Sequence, residues 1–278
     1  MIKKQLIMEK ALELFAKQGF ESTSVQQITD YCGISKGAFY LSFRSKDELI
    51  LTLMDHFMMQ ITSDIDHIVK TSKNDSLLYD FYYATYSYFY KHLDFAMTFM
   101  KEQTRTFNEE FILKMRYYDK LNEKVILTMI ERLYGEEVKY SKYDLIYCIK
   151  GFMKMYGELF LFKNIPVDFH LLAESLVEKT NILAKYMTIS FITDEHKTLL
   201  DIGLDGVVTK EQITEMIDQK IEEMEESIEK DSLILLKEQL LNPSPSLAIV
   251  KGLIENIRNH PHCKWVAFLL RDFYKSIT

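Results

Sequence analysis

Between Ala11 and Leu49 the chain reads ALELFAKQGFESTSVQQITDYCGISKGAFYLSFRSKDEL, and a helix stop or start recurs about every ten residues. Leu6, Ile7, Ala11, Leu14 and Phe15 recur at helical spacing, so a first helix is expected over residues 2–18 with Gly19 as its C-cap. Thr23 followed by Gln26 has the spacing of a capping box for a second helix, whose apolar side is Val25, Ile28 and Tyr31. Cys32-Gly33-Ile34 makes a tight turn, and Ser35 caps a third helix from Lys36 to Leu41. Ser45 with Glu48 starts a fourth, which continues through Leu49, Leu53 and Phe57. Three short helices with a tight turn between the second and third are the layout of a helix-turn-helix.

In such a layout the third helix is the one that enters a DNA major groove. Gly37 and Ala38 leave room for close approach, Phe39 faces the core, and Lys36, Tyr40 and Ser42 are candidates for phosphate or base contacts. A lysine near a helix start opposes the helix dipole unless an anion is nearby, so Lys36 and Lys46 make sense beside phosphate. Charge qualifies this reading. Residues 1–50 hold seven Lys/Arg against six Asp/Glu, a net of +1; the whole chain carries −7, which leaves −8 for the remainder. A nearly neutral head places its few cations on phosphate while the acidic bulk faces away.

The same segment resembles the N-terminal domain of the TetR family of bacterial transcriptional regulators. The resemblance rests on Gly19-Phe20, Thr23, Val25 and Ile28, the turn Gly33-Ile34-Ser35-Lys36-Gly37, and Phe39-Tyr40-x-x-Phe43-x-Ser45-Lys46-x-x-Leu49, about forty residues in all. Thr29 and Cys32 stand where the family commonly has alanines. The resemblance implies that Thr23 and Gln27 lie near the DNA backbone. It puts Ser35, Lys36 and Ala38 at the groove, and Tyr40 and Lys46 on phosphates. Phe39 and Phe43 would hold the third helix to the core, and Leu41 and Ser42 fall in a variable stretch that helps set operator choice.

From Leu49 to Thr193 the chain stays helical, with a loop at Lys70–Asp75. Only 9 glycines and 4 prolines occur in 278 residues. Residues 77–89 are crowded with aromatics (Tyr79, Phe81, Tyr82, Tyr83, Tyr86, Tyr88, Phe89), and Phe95, Met97, Phe99 and Met100 follow. A helix apolar on nearly all sides is packed between others, and some of its rings line either the core or a cavity. The candidate lining for a bulky, largely apolar effector is drawn from Tyr82, Tyr86, Phe89, Met97, Phe152, Met155 and Tyr156, where methionine adapts to varied shapes. Ser141 and Asp144 open a helix to Phe162, Asn164-Ile165-Pro166 breaks the chain, and a further helix covers Phe169 to Met187. Leu145, Ile149, Phe152, Met153, Leu159 and Phe160 on one, with Leu172, Leu176, Leu183 and Met187 on the other, supply apolar faces. The resemblance implies that such a pair forms a four-helix interface with a second copy. A two-fold dimer on a palindrome also adds the binding of two small heads.

The family pattern runs out near residue 195. Asp201–Gly206 reads as a link, Thr209 and Gln212 cap a long helix with Ile213, Ile217, Ile221, Met224 and Ile228 on one stripe, and Pro243 and Pro245 precede helices over Leu247–Ile257 and Trp265–Tyr274. The expected organisation is all-α in three parts. Residues 1–47 form a helix-turn-helix DNA-binding domain, residues 48–195 an effector-binding and dimerisation domain, and residues 196–278 a helical extension packed on the body or the dimer mate. Cys32, Cys148 and Cys263 are scattered, and His260-Pro261-His262-Cys263 lacks a fourth donor cluster, so neither metal nor other cofactor is expected. No glycine-rich phosphate loop, HExxH or GxSxG element points to an enzyme. No apolar run is long enough to span a membrane, and charges interrupt MIKKQLIMEKAL too early for a signal peptide. The expected protein is a cytoplasmic, ligand-released repressor that binds a palindromic double-stranded operator as a homodimer. The alternative is an all-helical interaction protein whose degenerate helix-turn-helix no longer binds DNA.

Overall fold

In the computed structural model, which describes residues 2–93, 96, 109–162, 167–193, 195–196 and 209–275, every regular element is helical. α1 (Ile2–Gln18) stops at Gly19, whose φ of 85° lies in the left-handed region open to glycine and whose N–H reaches the Phe15 carbonyl at 2.9 Å. α2 (Val25–Cys32) starts one residue later than the sequence suggests. Ser24, rather than Thr23, is the N-cap: its hydroxyl accepts from Gln27 N–H at 3.2 Å, and Gln27 Oε1 accepts from Ser24 N–H at 2.8 Å. Tyr31, expected on the apolar side of α2, is instead exposed and donates to Glu13 at 2.6 Å. Gly33, at φ 66°, closes α2, and Ser35 caps the short α3 (Lys36–Tyr40) by accepting from Ala38 N–H at 3.2 Å. Ile7, Ala11, Phe15, Phe20, Ile28, Phe39 and Phe43 are buried together and make the core of this head.

α4 (Lys46–Thr71), capped by Ser45, has 26 residues and so runs about 39 Å out of the head into the body. α5 (Asn74–Lys91) and α6 (Glu109–Tyr134) pack against it; Gly135, at φ 51°, ends α6 and leads into a short 3-10 turn, Gly135–Val138. α7 (Lys142–Phe162) lies on α6, and α8 (Phe169–Tyr186), capped by Asp168, packs along α5 and α7. The break expected at Asn164–Pro166, the link at 201–206, and Phe95, Met97, Phe99 and Met100 lie outside the described residues.

The chain beyond residue 208 folds back onto the body. α9 (Lys210–Glu223), with the expected Thr209/Gln212 capping box, is followed by α10 (Ile228–Leu241), α11 (Leu247–Ile257) and α12 (Lys264–Lys275). The single long helix read through Ile228 is thus two. Glu222, Glu223, Glu225, Glu226 and Glu229 would stack like charges three and four apart, and Ser227 offers a new cap by accepting from Lys230 N–H at 3.2 Å. Ile228 consequently points into solvent. α12 closes against α9 and α11 on one side and α4 on the other, with Val266 to Leu270 all buried. Lys264 reaches Asp64 at 2.7 Å, Arg271 bonds Asp66, and Asp272 takes Lys124 of α6 at 2.8 Å.

Candidate functional site

The head presents α3 outward. Phe39 and Phe43 are buried, their rings 5.8 Å apart, so the opposite side of this five-residue helix faces solvent. Lys36, Gly37 and Tyr40 are exposed, Ala38 and Ser42 half-buried, and Leu41 is 91 % exposed. Lys36 and the Tyr40 hydroxyl have no partner among the described residues, while the Tyr40 ring stands edge-on to Phe39 at 5.4 Å. A Cβ added to Gly37 would meet only Ser35 Oγ, at 3.7 Å, so nothing inside the fold requires glycine there.

The remaining residues singled out from the sequence are engaged by the protein itself. Thr23 is fully buried; its hydroxyl donates to the Gly19 carbonyl at 2.7 Å and accepts from Gln18 at 3.1 Å. Gln27 completes the Ser24 cap, and Ser35 caps α3. Lys46 donates to the carbonyls of Phe20 (2.8 Å) and Thr23 (3.0 Å) and sits 4.1 Å above the Phe20 ring. The first residue of α4 is therefore tied to the turn that starts α2. These four position α3, whereas Lys36, Gly37, Tyr40 and the flanking Ala38 and Ser42 form its open face.

A second feature lies in the body: an apolar cavity of about 270 Å³. α4 contributes Met54, Phe57, Met58, Ile61 and Ile65; α5 contributes Phe81, Thr85 and Phe89; α6 contributes Met115, Asn122, Val125 and Ile126; and Ala96 and Met153 complete it. Of the seven lining candidates named from the sequence, Phe89 is on this wall. Tyr82 and Tyr86 occupy the adjacent stripe of α5, one residue or about 100° round from Phe81 and Thr85. There Tyr82 shares a 2.7 Å hydrogen bond with Thr180 and Tyr86 donates to the Phe152 carbonyl at 2.9 Å. Burial drives both phenols far above their ordinary pKa, and each acts as a neutral strut between α5 and its neighbours. Phe152 and Tyr156 are half-buried off the cavity wall, Met155 is exposed, and Met97 lies outside the described residues.

The α4 stripe escaped the sequence reading although its signal is present. Residues 54, 57, 58, 61 and 65 recur at helical spacing and include two methionines. The opposite side of α4 carries Ser63, Asp66, His67 and Lys70, which with Arg258, Lys264 and Arg271 line a small polar cleft under the C-terminal helices. The same helix thus has the cavity on one side and the extension on the other.

A third surface is apolar and open. Leu171, Ile182 and Tyr186 fall on one stripe of α8 and are each at least half exposed, with Tyr147 and Met155 exposed on α7. Leu145, Ile149 and Leu176, expected among the apolar faces of this pair, are buried within the chain. Beyond α8 the chain is irregular, and Asp144 Oδ2 holds it by accepting from Ser190 Oγ (2.7 Å), Phe191 N–H (2.9 Å) and Ile192 N–H (3.0 Å). Ile189 and Phe191, fixed in this way, remain 86 % and 79 % exposed.

Among the described residues no helix is long and apolar enough to cross a membrane, and no cluster of His, Cys, Asp and Glu has a metal-binding arrangement. His260 Nδ1 lies 3.5 Å from the Cys263 sulfur, which in turn meets the Met224 sulfur at 3.5 Å.

Residues 7–53, from α1 into α4, match the model of the bacterial regulatory proteins of the tetR family. The HTH-type transcriptional regulator YuxN of Bacillus subtilis is 28 % identical over 267 residues, 92 % of this chain and 91 % of its own length. A second regulator of that organism, YerO, is 28 % identical over 268 residues, 92 % of this chain and 89 % of its own. Alignments of this extent must run through most of the C-terminal extension, which is therefore common to all three chains. The crystal structure of a transcriptional regulator from Aquifex aeolicus VF5 superposes with a TM-score of 0.51 at 23 % identity, over 65 % of this chain and 99 % of its own; it shares the fold. A three-helix head in the family's register, an all-helical body behind it and regulators aligned along nearly the whole length point the same way: the head matches the tetR family of bacterial regulatory proteins, and the chain as a whole is similar to HTH-type transcriptional regulators.

Proposed function

We propose that the protein is a ligand-responsive repressor that binds a palindromic operator as a homodimer and is released by a small, largely apolar molecule. The observation that carries the DNA contact is the open face of α3: an unpaired Lys36, an exposed Tyr40 hydroxyl, and a Gly37 that the fold itself does not need. A glycine without an internal reason suits the close approach of a backbone or base edge from outside. Lys36 and Tyr40 supply phosphate contacts, and Ala38 and Ser42 lie at the groove. Thr23, Gln27, Ser35 and Lys46 hold that helix in place. On this reading residues 1–47 are the DNA-binding unit, residues 48–195 sense the effector and dimerise through α7 and α8, and residues 196–278 brace the back of α4.

The link between the two sites is α4. Five of its side chains wall the cavity, and its first residue is hydrogen-bonded to the start of the head. A ligand that displaces the cavity wall displaces α4, and Lys46 passes that movement to the carbonyls of Phe20 and Thr23. The spacing of two heads in a dimer then leaves register with successive major grooves, and affinity falls by the difference in ligand binding between the two states.

The test is a gel-shift titration against duplex from the gene's own upstream region, with excess unrelated duplex as competitor. A discrete, salt-sensitive shift is expected. It should survive competition and be weakened by apolar ligands in the wild type, but not in Val125→Phe, which fills the cavity. A correctly folded protein that shifts no duplex, including a pool of random sequences, would leave the interaction-protein reading in its place.

A further inference from the structure

The cavity wall has a particular chemistry. Among the described residues, all its lining groups are apolar except Thr85 and Asn122. The Thr85 hydroxyl is already bonded to the Phe81 carbonyl at 2.7 Å. Asn122 Oδ1 accepts from Thr62 Oγ1 at 3.3 Å, and in this orientation its two N–H donors have no partner among the described residues. Among the described residues, no Lys, Arg, His, Asp or Glu lines the space.

Those facts select by head group. An anion or a cation entering this wall would lose hydration with no counter-charge among the described residues to replace it. A plain hydrocarbon would leave the Asn122 donors without water and without a partner. A neutral molecule with one carbonyl or ether oxygen satisfies both conditions. The tail is less restricted, because Met54, Met58, Met115 and Met153 line the rest, and thioethers adapt to a range of shapes. The volume of 270 Å³, set against about 30 Å³ per liquid water, suits a ligand of roughly ten to fifteen non-hydrogen atoms.

We infer that the effector is a neutral amphiphile bearing a single hydrogen-bond acceptor (a ketone, ester or similar group), anchored by the side-chain amide of Asn122 and discriminated from carboxylates and quaternary amines of the same chain length. This rests on the reading of the cavity as the effector site. Asn122 sits on α6 and bonds Thr62 of α4, so an acceptor docked on it pulls on the helix that carries the head.

The experiment compares decan-2-one, decanoate and decyltrimethylammonium by titration calorimetry and by the rise in Tm of the full-length protein at neutral pH. The ketone should bind at least tenfold more tightly than either ion, and Asn122→Leu, close in size and without donors, should weaken the ketone at least tenfold. Asn122→Asp, which keeps the shape and replaces donors by acceptors, should weaken it likewise, and it serves where the leucine variant does not fold. A ketone that does not bind, a preference under tenfold, or undiminished ketone binding to a folded Asn122 variant each overturns the proposal. Failure of the effector reading looks different: the ketone binds with the stated preference, yet the protein's affinity for its operator does not change.

Discussion

Arg271 of α12 donates to Asp66 of α4, a carboxylate only 4 % exposed that also accepts from Lys70. The pair fastens the last helix of the chain to the back of the helix that leaves the head. Arg271 Nε is buried without a partner, and burial holds the guanidinium below its ordinary pKa, so this arginine depends heavily on the one carboxylate. Asp66→Leu leaves an uncompensated buried cation and is expected to cost about 3 kcal/mol in urea unfolding. The double variant Asp66→Leu/Arg271→Leu should recover most of that loss, since it removes both desolvated charges. A double variant no more stable than the single one would show that the pair does not fasten the extension.

How much of this was legible in the sequence depends on whether a local rule or a three-dimensional choice decides the outcome. Helix ends were legible because caps are local: Gly19, Gly33, Ser35 and Ser45 act where their chemistry places them. The start of α2 was one residue out because Thr23 and Ser24 each have a glutamine three residues on, and only the burial of Thr23 decides between them. In α5 the aromatic content was plain, but two stripes 100° apart are chemically alike, and which one meets a void depends on where α4 and α6 lie. The Asp66–Arg271 pair joins residues some two hundred apart in the chain, and no local pattern marks it.

His67 lies in the same polar cleft. Burial first, then the nearby Lys264 and Arg258 cations, lower its pKa from 6.5, which Asp64 and Asp66 oppose in part. As pH falls through 6.5 the unfolded chain takes up this proton before the folded one, so the contribution to stability present at neutral pH is lost down to the folded pKa. The fall in Tm between pH 7 and pH 5 should therefore be shallower in His67→Gln than in the wild type. Parallel curves would remove His67 from the acid response.

Burial pushes the Cys263 thiol up to about 11, and Cys32 and Cys148 are raised by the same cause. The thiolate is the nucleophile, so iodoacetamide at pH 8 should leave Cys263 unmodified in the folded protein and label it fully in urea, read by mass spectrometry of the peptides. Labelling of Cys263 at the denatured rate without urea would mean that the α9–α12 unit opens readily.

Gly37 and Lys46 separate the two jobs inside the head. Gly37→Ala makes only an ordinary contact with Ser35 Oγ and should leave stability unchanged or raise it by up to about 1 kcal/mol, while operator affinity drops at least tenfold. Lys46→Met removes the donor to two carbonyls and should destabilise the head by about 1–3 kcal/mol. Because its ammonium is held by the protein, the salt slope of DNA binding should not change in that variant. A slope reduced by about 0.9 would assign Lys46 a phosphate contact after all, and Lys36→Gln is expected to show that reduction.

Asp144 organises an apolar strap whose Ile189 and Phe191 stay largely exposed, with the Phe191 ring stacked only on His196 among the described residues. Its carboxylate gathers Ser190 Oγ and the N–H groups of Phe191 and Ile192, and fixing a segment in this way costs entropy with little apolar burial in return while Ile189 and Phe191 face water. The strap follows α8, whose Leu171, Ile182 and Tyr186 form an exposed stripe, and exposed apolar side chains of this kind suit a second copy. Ile182→Glu puts a charge in the middle of that stripe and should convert the dimer to monomer in light scattering. Asp144→Ala releases the strap while leaving the stripe intact and should weaken the dimer about tenfold or more. Operator affinity should fall with dimerisation in both variants, since one head makes half the contacts. An Ile182→Glu protein that remains dimeric would move the interface elsewhere. An Asp144→Ala protein that dimerises like wild type would confine it to the helices.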